Sequence, residues 1–115
     1  MEKNNISRQL SSTEEEYDQR QYRLMEERML NYERGEITLN TLIVDLEVLL
    51  GVLHMDDEEW KQSFRSAWWI LEEVYAVALD RERDTLSLED RELIKKSIDK
   101  LRQLLASKII EEGTV

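Results

Sequence analysis

Side-chain chemistry in this chain has to be carboxylate chemistry, because it holds 26 Asp and Glu residues against one histidine and no cysteine. Inward-facing glutamates in a helical bundle can hold two metal ions, but such a centre needs Glu-x-x-His pairs on two helices. His54 is the single histidine and Gly51 stands three residues before it, so the pattern fails. The run Asp80-Arg81-Glu82-Arg83-Asp84 alternates its acids as a calcium loop does. Its sixth position, where glycine makes the turn, is Thr85, and its twelfth, where a bidentate glutamate belongs, is Arg91. A solvated turn accounts for it better. Nucleophilic catalysis would have no thiol and only His54 as a base, and three glycines build no loop to cradle phosphate. The expectation is a protein that is not an enzyme, with no catalytic residue, no metal and no cofactor. His54 reads as a capping or surface residue near a helix end, where a cation suits the dipole.

Charge says more about function. The formal net charge is −10, and it is uneven: residues 1–60 carry 15 acids and 6 bases, residues 61–115 carry 11 and 10. From Gly35 through Trp60 there is no Lys or Arg, while Glu36, Asp45, Glu47, Asp56, Asp57, Glu58 and Glu59 fall in that window. Such a chain lacks the cationic footprint that a phosphate backbone or an anionic membrane requires. Neither nucleic acid nor membrane is therefore expected as a partner. A basic protein is, since the field of uncompensated acids would steer it in. Helix capping and a solvated face explain the same run without any partner, and both readings stay open at this point.

Two apolar features bear on the choice. At 100° per residue Trp69 projects about 180° from Trp60, near Glu73 and Asp80. A tryptophan exposed among acids has the character of an interface anchor. Alternatively its helix packs on two sides, as Ile70 and Val77 widen the apolar arc, or Arg65 one turn earlier covers the ring. Val44, Val48 and Val52 form a second row, expected to be another buried face, with a seam between two copies of the chain as the alternative. The candidate partner-binding set is Asp45, Glu47, Asp56, Asp57, Glu58, Glu59, Trp69, Glu73 and Asp80.

These residues have to be positioned by helices, because the chain has no proline to break them and few of the turn residues that sheets need. Residues 1–12 are polar and aperiodic and read as a flexible tail; residues 13–112 read as one four-helix domain. Thr13-Glu14-Glu15-Glu16 has the form of a capping box. The helix it opens would carry Tyr17, Leu24, Met25, Met29 and Tyr32 on one face, interrupted by Gln21 and Arg28, and would run to about Arg34, with Gly35 as its left-handed stop. Thr38 would cap a second helix reaching about His54, in which Leu39, Leu42, Ile43, Leu46, Leu49, Leu50 and Leu53 fall within roughly 120° of arc. The acids 56–59 would cap a third, with Trp60, Phe64, Ala67, Trp68, Leu71, Val74, Tyr75 and Ala78 on one side, ending between Arg81 and Asp84. Ser87 with Asp90 would open a fourth, striped by Ile94, Ile98, Leu101, Leu105 and Ile109 and ending near Gly113. Short connections make neighbours antiparallel, so the expected fold is all-α, an antiparallel up-down four-helix bundle. The longest apolar stretch, Val48 to Leu53, is too short to cross a bilayer. The start of the chain has no apolar segment of a secretory signal, and the lack of cysteine fits a reducing compartment, so a cytoplasmic protein is expected.

Tyr32-Glu33-Arg34-Gly35-Glu36-Ile37-Thr38-Leu39, continuing through Leu42-Ile43-Val44-Asp45-Leu46-Glu47, and Trp68-Trp69-Ile70-Leu71-Glu72-Glu73-Val74-Tyr75-Ala76 resemble small acidic helical proteins encoded beside bacterial polymorphic toxins and taken to be their immunity proteins. The resemblance spans residues ~32 to 110 and implies a bacterial, cytosolic protein that binds and blocks one cognate toxin. The chain departs from the colicin nuclease immunity proteins in lacking their acidic helix with paired tyrosines. The resemblance brings no binding motif with it, so the candidate site residues rest on charge and exposure alone. The functional expectation is an inhibitor that covers the basic cleft of a toxin, such as a nuclease. The alternative is a non-enzymatic helical interaction or regulatory module, homodimeric through the valine row.

Overall fold

The computed structural model of the protein describes residues 9–81 and 86–110. Among these residues there are four α-helices and no strand: α1 (Ser12–Glu33), α2 (Leu39–Gly51), α3 (Glu58–Asp80) and α4 (Leu88–Ala106). Three of the four N-termini form where the sequence signals them. Thr38 accepts the Thr41 amide, Asp57 accepts the Trp60 amide, and Ser87 and Asp90 close a reciprocal capping box. The fourth is displaced: the box of α1 is Ser11 with Glu14, not Thr13 with Glu16. Ser11 has extended backbone, its hydroxyl accepts the Glu14 amide at 3.1 Å, and the Glu14 carboxylate accepts the Ser11 amide at 3.1 Å. Gly35 takes φ +78°, the left-handed geometry that ends α1 and that glycine adopts without strain.

Two helices stop short of their sequence-predicted ends, and in each case a side chain of α1 intercepts the backbone. α2 ends at Gly51 instead of near His54, because Asp18 takes the amides of His54 and Met55. α4 ends at Ala106. Beyond it Gln19 binds the Lys108 carbonyl at 2.7 Å and the Ile110 amide at 2.8 Å, while Arg23 donates to the Ile110 carbonyl at 2.8 Å. Gly113, the expected stop, lies outside the described residues, as does most of the expected 1–12 tail.

Each helix runs alongside its chain neighbours, α4 returns to α1, and the diagonal pairs α1–α3 and α2–α4 have no close backbone approach. The start of α3 lies against the end of α4, where the Trp60 indole donates to the Leu104 carbonyl at 2.8 Å. The start of α1 lies against the segments that follow α2 and α4. This is the antiparallel up-down bundle that short connections impose. Met25, Met29, Leu42, Leu46, Phe64, Leu71, Ile98, Leu101 and Leu105 fill its centre. On α2, α3 and α4 the buried stripes are those of the sequence pattern, with Leu49, Trp68, Tyr75 and Ile109 at their margins. On α1 the stripe is rotated. Asp18, Tyr22, Met25 and Met29 are its buried members, and Tyr17, Leu24 and Tyr32 are only half-buried.

Candidate functional site

A carboxylate in the core is the first place to look for chemistry, and Asp18 is 1% exposed. Its Oδ1 accepts the His54 amide at 2.8 Å and its Oδ2 the Met55 amide at 2.9 Å. Both oxygens therefore hold the α2–α3 connection, and the group is an anchor for that loop. Tyr22 packs one turn along, its ring edge-on to Trp60 at 5.9 Å. Burial, reinforced by the nearby charge of Asp18, pushes its hydroxyl well above the usual tyrosine range. The signal for Asp18 was in the sequence: it stands at the core register of Tyr22, Met25 and Met29 (i, i+4, i+7, i+11), but an aspartate there breaks the apolar count.

The acids between Gly35 and Trp60 do not form one uncompensated field. Asp45 lies 3.4 Å from Arg28 of α1. Asp57 caps α3 through Oδ1, and its Oδ2 accepts from Lys108 at 2.9 Å. That lysine, ahead of the Trp60 amide, holds the Asp57 carboxyl below the usual range. Bases remote in sequence thus neutralise two of the acids that seemed unpaired. Glu47, Asp56, Glu58 and Glu59 are exposed, the last two in the first turn of α3, where the helix dipole favours them. His54 is exposed in the loop, its ring edge-on to Tyr17 at 4.9 Å and its Nδ1 3.8 Å from Glu14. Of the calcium-like run, residues 82–85 lie outside the described residues, and Asp80 and Arg81 end α3 on the surface. Among the described residues no three potential metal ligands cluster.

The valine row corrects the sequence expectation of a second buried face. Val44 is 47% exposed, Val48 57% and Val52 40%. Among the described residues only α1 and α3 run alongside α2, which leaves its outer side uncovered. Trp69 is likewise 54% exposed, so α3 does not bury both of its sides. Its neighbour Trp68 turns inward and donates its indole N–H to the Ile43 carbonyl at 2.9 Å, locking α3 to α2. Beside that lock runs a cleft lined by Glu47 and Gly51 of α2 and by Arg65 and Trp68 of α3. Val44 precedes Glu47 by three positions, Val48 precedes Gly51 by three, and Trp69 follows Arg65 by four. On a helix such spacings share a face. Val44 and Val48 on α2 thus stand beside the cleft that Glu47 lines, Trp69 stands beside Arg65 on its α3 side, and Val52 follows at the C-cap of α2.

The remaining candidates are dispersed. Glu73 lines a different groove, between α3 and α4, with Val77 and Leu93. Asp57 and Asp80 stand at opposite ends of α3, roughly 34 Å apart along its axis. The fold brings Glu47 and Trp69 onto one surface and leaves Asp56 to Glu59 at one edge of it and Asp80 at the other. Among the described residues no helix is long and apolar enough to cross a membrane. No family model matches the sequence, and neither does any curated protein or solved structure.

Proposed function

We propose that this protein is a non-enzymatic binding module whose α2–α3 surface captures a basic protein, and that it acts in the cytoplasm as an immunity-type inhibitor of a bacterial toxin such as a nuclease. The observation that carries the reading is the exposure, on either side of the cleft that Glu47 and Arg65 line, of Val44 and Val48 on α2 and of the half-exposed Trp69 on α3. Apolar residues grouped on a monomer's surface mark contact sites, and tryptophan is over-represented among the residues that dominate interface energy. Around them Glu47, Asp56, Glu58 and Glu59, on a chain of net charge −10, supply a field that speeds the approach of a cation-rich partner. The toxin identity follows from the family resemblance of residues 32–47 and 68–76.

The test uses the tagged protein and its Val48→Glu and Trp69→Ala variants as baits in lysate of the source cells, at low and then moderate salt. The wild type should retain one basic protein in a near one-to-one complex that weakens as salt rises. Both variants, with helicity intact, should lose it, and co-expression of wild type should suppress the toxicity of the captured protein. Equal capture by all three baits would move the contact elsewhere, and a captured protein that is acidic would refute the electrostatic part.

A further inference from the structure

The outer side of the α3–α4 seam carries a groove lined by Ser63, Ser66 and Ile70 of α3 and by Leu93, Lys96 and Lys100 of α4. Ile70 and Leu93 are exposed in it, and the serines leave room between the two helices. Ser97 lines the same groove, is 3% exposed, and has a hydroxyl with no hydrogen-bond partner among the described residues. Buried hydroxyls are ordinarily paired, and this one lies in the floor of the groove, beneath its exposed rim. Lys95 is paired with Asp99 one turn on. Lys96 and Lys100, exposed on the groove's rim, are in no ion pair among the described residues, in a protein with ten more acids than bases.

What fits there has to be apolar, ridge-shaped and acidic on one flank. The chain itself displays such an element. Val44, Val48 and Val52 stand four residues apart as a stiff β-branched ridge, Glu47 flanks them, and exposed Asn40 one turn earlier brings an amide within the same row. The ridge is about 12 Å long, and Ser63 to Ile70 and Leu93 to Lys100 each span about 10.5 Å. We infer that the valine row of one copy docks in the α3–α4 groove of a second copy, with Glu47 meeting Lys96 and Lys100. The ridge and the groove are different surfaces, one on the outer side of α2 and one on the seam of α3 and α4. Each copy offers one of each, so the contact either closes reciprocally as a pair or adds copies head to tail. It also covers the surface assigned above to the basic partner, so self-association and partner capture compete. The inference rests on the exposure of the row in that reading, not on the partner.

Sedimentation equilibrium over roughly 10 μM to 1 mM, at an ionic strength of about 0.15 M that screens the net repulsion of the copies, tests it. The weight-average mass of the wild type should rise above the 13.8 kDa of one chain as concentration rises. The Lys96→Glu/Lys100→Glu variant alone and the Glu47→Lys variant alone should stay at one chain. An equimolar mixture of the two should associate again, because each row then meets a groove of opposite charge. A wild type that stays at one chain, a groove variant that associates like wild type, or a mixture that fails to recover would each overturn the inference. None of these results touches the partner reading, which is decided by capture on Val48→Glu and Trp69→Ala baits. The groove variant, folded and monomeric, should capture the partner at least as well as wild type.

Discussion

Removing the Asp18 carboxylate should unlatch the α2–α3 connection. In Asp18→Ala the Met55 amide, in a residue 7% exposed, loses its acceptor inside the protein, whereas the His54 amide is nearer solvent and can rehydrate. Hydrogen bonds to a charged group contribute about 1.5–3 kcal/mol each, and an orphaned buried amide costs about 1–3 kcal/mol. Against that, the variant no longer holds a carboxylate away from water, which offsets part of the loss. The balance is about 2–4 kcal/mol of destabilisation. For about a hundred folded residues, each kcal/mol lowers Tm by roughly 4–8 °C. Asp18→Asn should be no milder, because its amide NH2 would face one of the two backbone N–H donors. Urea unfolding followed by circular dichroism gives the number, with an unchanged m-value showing that the same surface is exposed. Amide exchange should show His54 and Met55 losing protection before the helices do. A loss below about 0.5 kcal/mol for both variants would refute the anchoring role.

Tyr22 supplies an alkaline prediction: burial raises its folded-state pKa, so the unfolded chain gives up that proton first, and stability is intact below about pH 10 and falls by up to about 1.4 kcal/mol per pH unit above it. Tyr22→Phe should flatten that decline in urea midpoints measured between about pH 8 and 11, and parallel slopes in the two proteins would count against it. Trp69, the most exposed of three tryptophans, should carry most of the acrylamide-quenchable fluorescence, so Trp69→Phe should shift the remaining emission to the blue and roughly halve the quenching slope, whereas an unchanged slope would place another indole at the surface.

Periodicity made the fold legible where core positions are apolar. The leucine face of α2 and the stripes of α3 and α4 sit in the core as written. It misled on α1 because Asp18 occupies a core position for its hydrogen bonds, and a hydropathy pattern has no way to register a carboxylate buried for its two acceptors. Helix ends were legible where the stop is local, as at Gly35, and illegible where it is tertiary. Nothing near His54 in sequence announces that Asp18, 36 residues earlier, will claim its amide. The same blindness affected the acidic window, in which Arg28 and Lys108 reach Asp45 and Asp57 across the fold. Exposure of the valine row depended on which helices stand beside α2, which a single helix's pattern leaves open.

The position of those valines is hard to explain by folding alone. Side-chain bonds join the start of α1 to the connection after α2 and the segment after α4, and the start of α3 to the end of α4. They are gathered at one end of the bundle, where those of Gln19 and Arg23 reinforce α1–α4, the seam where the helices pack least. None of these ties needs the outer side of α2. There Val44 and Val48 occupy helical positions that are about half exposed, and valine favours a helix less than alanine by roughly 0.5 kcal/mol per residue because its branched Cβ is restricted by the preceding turn. The two residues therefore destabilise the isolated helix by about 1 kcal/mol relative to alanine, with only partial burial inside the bundle to offset it. A further contact, with a basic partner or with the groove of another copy, would remove the rest of those side chains from water, and that burial gives a physical role to a row for which the bundle itself has little use.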